Sequence, residues 1–464
     1  RVTSLDAGML LAETPEMPMH TMGVIVAERP AVPLMDTMRR VLTERIHWVP
    51  PFRRRLVEGP LQLGDLHWIE DPDFALDHHL QGVAVRAPGG MRELAEFVGA
   101  FAARPLDRSK PLWEVALVEG LEDDTIAIVA KIHHAAMDGG RLVSILGYLF
   151  DLSPEGDAWP PPEEAWVPDR RPSLLWYATD TARTLVEKPA HALRAIAGVA
   201  ESILDGALSG HERAEGARLF EAPPTPFNGA LSRRRAVAMA DVAFEDVKAI
   251  KRAFGATVND VVLAASCAAA RDWLLARDAL PDRPLVANVP VTVRARGDDD
   301  AGNRVSMILV HLPVEVADPA ERLARIRAET ARAKEAHGHG GGSVLEQFTD
   351  VLTNLTVPWF LTHAVQLYSW SHLADRLPFF WNLVVSNLPG PPVPLYCAGA
   401  RVLRIYPFGP VQQGSGLNLT VMSTADRLCL GAMACGEMMP DVERIGAAFV
   451  EEIALLKGLA AGRG

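Results

Sequence analysis

The stretch IAIVAKIHHAAMDGGRLVSIL, Ile126–Leu146, changes its apolar period around a pair of histidines. Up to His134 the residues alternate as in a β-strand, whereas Leu142, Ile145 and Leu149 follow helical spacing. An aspartate and two glycines separate the two patterns. The sequence therefore predicts a strand end, a tight turn and a helix start, where side chains at the carboxyl end of a strand face a cleft.

Alternation places the two histidines on opposite faces of this strand. His134 shares its face with the apolar residues Ile128 and Ile132, whereas His133 shares the other face with Lys131. A neutral imidazole at a strand end can accept a proton from a hydroxyl, because its ordinary pKa of about 6.5 suits work near neutral pH. Burial would lower that pKa and keep the base free. We therefore predict His134 as a general base.

The turn after the histidines supports a catalytic role. Asp138 can orient the turn, and Gly139 permits a backbone conformation that a Cβ would forbid. The competing interpretation is a pair of hydrogen-bonded core histidines, which we prefer for His78 and His79, because no Asp-Gly follows them. Metal binding is disfavoured, because adjacent strand residues diverge and no third ligand is evident.

Composition limits the class of protein. A chain of 464 residues exceeds one ordinary hydrophobic core, and 49% hydrophobic with 22% charged residues indicates a globular protein. The net charge of −12 argues against nucleic acid as a partner. Four cysteines without a CxxC pair suggest a reduced, cytoplasmic protein. No secretory signal and no apolar run of about 18 residues is seen, so no membrane-spanning helix is expected.

Two proline-rich stretches, Asp157–Pro172 and Phe220–Gly229, enclose a helical pattern. We therefore predict an N-terminal domain over residues 1–156, a helical crossover over 157–229 and a C-terminal domain over 230–464. Strand and helix patterns mix in both halves, which predicts an α/β (α+β) fold. Thr257 is the candidate cap of a long buried helix in the second half.

One aromatic segment, Val357–Trp381, holds seven of the chain's 15 Phe, 10 Trp and 5 Tyr residues. Its interleaved polar residues suit an amphipathic surface that rests on a bilayer or lipid droplet. An ordinary buried helix with aromatic packing is the alternative, and the sequence leaves both open.

Several motifs together resemble a known family. HHAAMDG resembles the HHxxxDG signature of the chloramphenicol acetyltransferase-like superfamily, which includes condensation domains. Further segments, in order over essentially the whole chain, resemble the bacterial wax ester synthase/diacylglycerol acyltransferase family. These are SLDAGMLLAETPEMPMH at the start, PLWEVALVEGL from Pro111, ATVNDVVLAA from Ala256, GNRVS from Gly302 and SNLPGP from Ser386.

The resemblance implies two linked acetyltransferase-like domains, each a mixed β-sheet with flanking helices, and an active site in a tunnel between them. The second histidine of the family motif acts as general base, which carries over to His134. His133 and Gly139 complete the catalytic motif, and the aspartate maps to Asp138, in a structural role rather than as a charge relay.

In the superfamily this aspartate often pairs with an arginine from the other domain. Arg294 of PVTVR is the candidate, and Arg296 is the alternative, since it has the same strand parity. Asn259 of the ND pair either donates to the reacting carbonyl or caps and packs its helix.

Three further residues are assigned to substrate binding. Trp113 of PLW is expected in the tunnel wall or the core rather than in the chemistry. The resemblance also assigns Ser386 and Asn387 of SNLPGP to the binding site.

The expected activity is transfer of a long-chain acyl group from acyl-CoA to diacylglycerol or a long-chain alcohol, in a ternary complex and without a cofactor. The partners are then acyl-CoA, a lipid hydroxyl acceptor and, as a further option, the inner membrane face or a lipid droplet. Condensation onto an amine or carrier-bound group, and a non-catalytic lipid-binding protein, are the alternatives.

Overall fold

The computed structural model describes most of the chain. The described residues are 1–59, 62, 64–136, 147–156, 159–162, 166–187, 221–293, 304–338, 358–376, 379–397 and 399–462. Asp138, Gly139, Arg294 and Arg296 therefore lie outside the described residues.

The described part of the chain folds into β-strands and α-helices, and several strands follow one another without a helix between them. The strands are β1 (His20–Glu28), β2 (Arg54–Val57), β3 (His67–Glu70), β4 (Leu80–Ala84), β5 (Trp113–Glu119), β6 (Thr125–His133), β7 (Arg235–Ala243), β8 (Leu285–Val293), β9 (Arg304–Leu312), β10 (Leu383–Pro389), β11 (Tyr396–Cys397), β12 (Ala400–Phe408), β13 (Leu417–Ser423) and β14 (Arg427–Cys435). The α-helices are α1 (Ser4–Ala12), α2 (Leu34–Arg45), α3 (Met91–Ala102), α4 (174–187), α5 (Phe244–Phe254), α6 (Val258–Leu275), α7 (Pro319–Gly338), α8 (Pro358–Trp370) and α9 (Glu443–Ala461).

Two six-stranded sheets form the framework. Their orders are β11-β12-β1-β6-β5-β4 and β7-β14-β13-β10-β8-β9, and β2 and β3 form a separate hairpin. Both sheets are mixed, because β4 runs parallel to β5, and β10 runs parallel to β13 and β8, among antiparallel pairs. The predicted fold class is therefore confirmed.

One segment of the second half belongs to the first sheet. β12 pairs antiparallel with β1, so residues 396–408 complete a sheet whose other strands lie between residues 20 and 133. Domains assigned as consecutive stretches of sequence do not predict that strands from residues 396–408 pair in the first sheet. The domain boundaries at residues 156 and 229 stay a prediction.

The faces of β6 follow the predicted parity. Ala127 and Val129 pack in a core that includes α3 residues and β7 and β14 residues. Ile126, Ile128 and Ile132 pack on the opposite face, in a core that includes α2 residues. Because both faces are apolar, β6 is a central strand buried on both sides.

The predicted helix in the second half is also confirmed. The Thr257 hydroxyl accepts from the Asp260 amide at 3.2 Å, and the Asp260 carboxylate accepts from the Thr257 amide at 2.8 Å. This reciprocal cap begins α6, which packs in a core together with strands of the second sheet. Among the described residues, the only candidate for crossing a membrane is the pair α5 and α6 taken together, which bends by 103° between them; no single helix qualifies.

Candidate active site

The predicted histidine pair lies where β6 ends. His133 is the last residue of the strand, and His134 begins a 3-10 turn that runs to Ala136. The His133 amide donates to the Leu112 carbonyl at 2.9 Å, and the His134 amide donates to the Met19 carbonyl at 2.8 Å. Two neighbouring segments therefore hold the backbone of the pair.

His133 is enclosed by protein. It is 1% exposed, and its Nδ1 accepts a hydrogen bond from the Ala135 amide at 3.1 Å. Burial, and then the positive charge of Arg108 and the neighbouring His134, lower the pKa of His133 to about 3. The ring is therefore neutral near pH 7, and because Nδ1 accepts, its proton is on Nε2.

His134 has different surroundings. It is only partly buried, unlike the residue before it, and the turn and the Met19 hydrogen bond fix its backbone. We expected burial to lower the pKa of the base; the structure describes that effect at His133. The two rings thus differ in burial: His133 is sealed in the protein, whereas His134, for which the sequence predicts burial, is in a more open position.

Two charged residues that the sequence did not single out lie beside the pair. Glu13 Oε2 is 3.8 Å from His133 Nε2 and 2.9 Å from Arg108 Nη2. Arg108 also donates to the Leu10 carbonyl at the end of α1 and, through Nη1, to Glu58 at 3.2 Å. An ion pair therefore joins α1 to the loop that precedes β5.

Of the comparison pair His78-His79, only His79 is the buried core histidine that the sequence predicts; His78 is exposed. His79 is 3% exposed, its Nδ1 donates to the Trp113 carbonyl at 2.8 Å, and burial lowers its pKa. Its ring stacks on Trp113 at 4.3 Å, and Trp113 stacks on Phe52 at 4.5 Å. Trp113 Nε1 donates to the Phe52 carbonyl at 2.8 Å, so this indole is part of the core. Its assignment to substrate binding stays a prediction.

The remaining predicted residues that the structure describes lie on α6 and β10. Asn259 is the second residue of α6 and is partly exposed. Thr257 and Asp260 cap that helix, so the Asn259 amide is not needed for the cap. Ser386 and Asn387 lie on β10, partly exposed, opposite Thr420 and Val421 of β13.

The aromatic helix α8 packs beside the histidine turn. Its Leu361 contacts a cluster that contains Leu10, Leu11 and Ala135, and its Ser369 hydroxyl accepts from Gln413 Nε2 at 2.8 Å. The opposite face is open to solvent. Its large exposed side chains are Trp359 (46%), Phe360 (56%), Leu367 (59%) and Trp370 (80%). This exposure favours the amphipathic interpretation over the buried helix.

No group of three or more His, Cys, Asp or Glu side chains in the described part of the chain is arranged to hold a metal ion.

Known proteins are similar to this chain in sequence and in fold over nearly its full length. Residues 2–262 match the wax ester synthase/diacylglycerol acyltransferase catalytic domain, and residues 301–457 match the C-terminal domain of the same family. A putative diacylglycerol O-acyltransferase of Mycobacterium tuberculosis H37Rv is 33% identical over 98% of this chain and 89% of its own length. A second one from that strain is 35% identical over 96% of both chains.

Solved structures agree. The wax ester synthase/diacylglycerol acyltransferase from Marinobacter aquaeolei VT8 superposes with a TM-score of 0.70 at 27% identity, covering 99% of both chains. The starter condensation domain of rhizomide synthetase has the same fold, with a TM-score of 0.54 at 16% identity over 99% of this chain and 94% of its own. With its histidine motif at the end of β6 and matches to both family domains, the chain belongs to the wax ester synthase/diacylglycerol acyltransferase family.

Proposed function

We propose that the protein is an acyltransferase that moves a long-chain acyl group from acyl-CoA to the hydroxyl of diacylglycerol or of a long-chain alcohol. The observation that carries the proposal is the partly open His134 at the end of β6, in a chain that belongs to this family. Relatives named diacylglycerol O-acyltransferases, at 33 to 35% identity, favour triacylglycerol as the product.

In this mechanism His134 takes the proton of the acceptor hydroxyl as its oxygen attacks the thioester carbonyl. A C–O bond forms, the tetrahedral oxyanion collapses, and the C–S bond breaks. The proton held by His134 then passes to the departing CoA thiolate. The thioester is already activated, so neither an enzyme nucleophile nor a cofactor is required, and the protein supplies a base, alignment and exclusion of water.

The other predicted residues take supporting roles in this proposal. Asn259, whose helix is capped by its neighbours, is suited to donate to the oxyanion. Asp138, Gly139 and Arg294 lie outside the described residues and keep the roles that the family resemblance implies, with Arg296 as the alternative partner of Asp138. Ser386 and Asn387 of β10 are assigned to the substrate channel.

A thiol-release assay with palmitoyl-CoA tests the proposal. We expect CoA release that depends on added diacylglycerol or hexadecanol, and a loss of about 10² to 10⁴ in rate for His134→Ala. His78→Ala is the matched control, because His78 is exposed and lies in the comparison pair His78-His79. Near wild-type transfer by a folded His134→Ala protein would remove the proposal.

The same assay separates the alternatives. Release without an acceptor indicates a hydrolase, and no release at all indicates a lipid-binding protein. Release that requires an amine or a carrier-bound group in place of a lipid alcohol indicates condensation chemistry.

The protein is also proposed to work at the surface of a membrane or lipid droplet. The support is the exposed aromatic face of α8, whose inner face packs beside the turn that contains His134. Substrates such as diacylglycerol reside in lipid, so an apolar surface next to the site brings base and acceptor together.

A further inference from the structure

The ion pair of Glu13 and Arg108 is nearly sealed from water on its acidic side. The Glu13 side chain is 8% exposed and that of Arg108 is 32% exposed. Arg108 Nη2 and Nε approach the same carboxylate oxygen at 2.9 and 3.2 Å, while its other arm contacts Glu58. Such a doubly bonded guanidinium fixes the orientation of the carboxylate.

Oε1 of Glu13, the oxygen that does not contact Arg108, is linked through Met19 to the backbone of the proposed base His134. Glu13 Oε1 accepts from the Met19 amide at 3.2 Å. The carbonyl of the same residue, Met19, accepts from the His134 amide at 2.8 Å. One carboxylate therefore anchors, through a single intervening residue, the peptide group that presents His134.

Oε2 of Glu13, the oxygen that Arg108 contacts, faces the ring of His133. Nε2 of that ring is 3.8 Å from Glu13 Oε2, and its Nδ1 accepts from Ala135 inside the His134–Ala136 turn. A second proton on this ring would occupy Nδ1 and remove the acceptor of that hydrogen bond. It would also place a positive charge next to the residue that must accept a proton.

We propose that Arg108 and Glu13 are positioning residues of acyl transfer, which hold the His134 peptide in place and keep His133 in its neutral, Nε2-protonated form. The inference rests on the proposed role of His134. Neither residue contacts the reacting atoms; both act through the histidine pair.

The charges around His133 explain why both Glu13 and Arg108 are needed. A lone carboxylate this close would favour the imidazolium, and Arg108 offsets it. The charged and titratable groups that face His133 are Glu13 of the α1 end, Arg108 of the loop before β5, His134 of its own turn, and His20 of β1. Burial is the largest cause of the lowered pKa of His133, and Arg108 is the next.

The test compares kcat/KM from pH 5 to 8 in Arg108→Gln, Arg108→Lys and the double variant Glu13→Gln/Arg108→Gln. In Arg108→Gln the charge of the Glu13 carboxylate is no longer balanced. A rise of the His133 pKa by about three units, the upper end of what a nearby charge produces, should make the variant-to-wild-type ratio fall about tenfold from pH 7.5 to 5. Arg108→Lys keeps the charge, and the double variant removes both charges, so their ratios should stay flat across this range.

Arg325→Gln, which breaks the exposed Arg325–Glu321 pair on α7, is the matched control and should match the wild type at every pH. A pH-independent ratio for folded Arg108→Gln would overturn the inference, since a merely structural loss has no reason to follow pH. If Arg108→Gln does not fold, ¹⁵N spectra of histidine-labelled wild type decide, because protonation of His133 on Nδ1 would equally contradict it. Activity retained by His134→Ala would instead refute the proposed function.

Discussion

At the residue scale, the period of the chain predicted that the two histidines lie on opposite faces, but not which of them is enclosed or what surrounds it. Strand alternation is a local property, so it separates the directions of His133 and His134 without giving the depth at which each is buried. The Glu13–Arg108 contact joins residues 95 positions apart, and no local pattern encodes it. The one available signal was indirect, since Glu13 lies inside the ETPEMPMH segment that supported the family resemblance.

Trp113 offers a residue-scale test of core against channel wall. In Trp113→Phe the ring stack is retained, but the Phe52 carbonyl loses its buried donor. We expect the free energy of unfolding to fall by about 1 to 3 kcal/mol, because a buried acceptor is left unsatisfied. Urea unfolding measures this change.

The kinetic control for Trp113→Phe is the turnover of the folded variant with palmitoyl-CoA and diacylglycerol. A core role predicts a kcat and a KM for acyl-CoA close to wild type. A large rise in KM with unchanged stability would instead assign Trp113 to the substrate channel.

At the element scale, the sequence predicted strands and helices where the apolar period was strong. It did not predict that strands from the second half of the chain join the first sheet. The cap at Thr257 is a local signature, and α6 begins where it indicates. The entry of β11 and β12 into the first sheet depends on pairing between β1 and residues nearly 400 positions away, for which alternation gives no partner.

The exposed face of α8 gives an element-scale prediction. Trp370→Ser should weaken partitioning onto phosphatidylcholine vesicles that contain diacylglycerol by about tenfold, because transferring one large apolar side chain out of water contributes about 1.5 to 3 kcal/mol. Vesicle flotation measures the bound fraction. Leu275→Ser is the control, since Leu275 is also a large exposed apolar side chain, at the end of α6 and away from α8 in the sequence. Equal loss in both variants, or none in Trp370→Ser, would argue against α8 as the lipid-binding surface.

At the scale of the whole molecule, buried neutral histidines couple folding to pH. The pKa of His133 falls from 6.5 to about 3, and burial holds the pKa of His20 well below 6.5, its Nε2 donating to the Ala102 carbonyl at 2.9 Å. Both rings are adjacent across β1 and β6, since His20 is paired with His133. The sequence contains 14 histidines, and its composition does not predict which of them are buried.

The sign of the pH effect follows from these depressed values. Between pH 6.5 and 5 the unfolded chain binds protons at these histidines while the folded protein does not, so stability decreases as the pH falls. Each such ring contributes about 1.4 kcal/mol per pH unit in this window, which lies above the ordinary carboxylate range.

Urea unfolding at pH 7 and pH 5 should show this loss of stability. His133→Asn, whose side-chain oxygen can still accept from the Ala135 amide, should reduce the slope by the share of one ring, whereas His78→Asn at an exposed site should leave it unchanged. An unaltered slope in His133→Asn would mean that His133 takes up its proton as readily in the folded protein as in the unfolded chain.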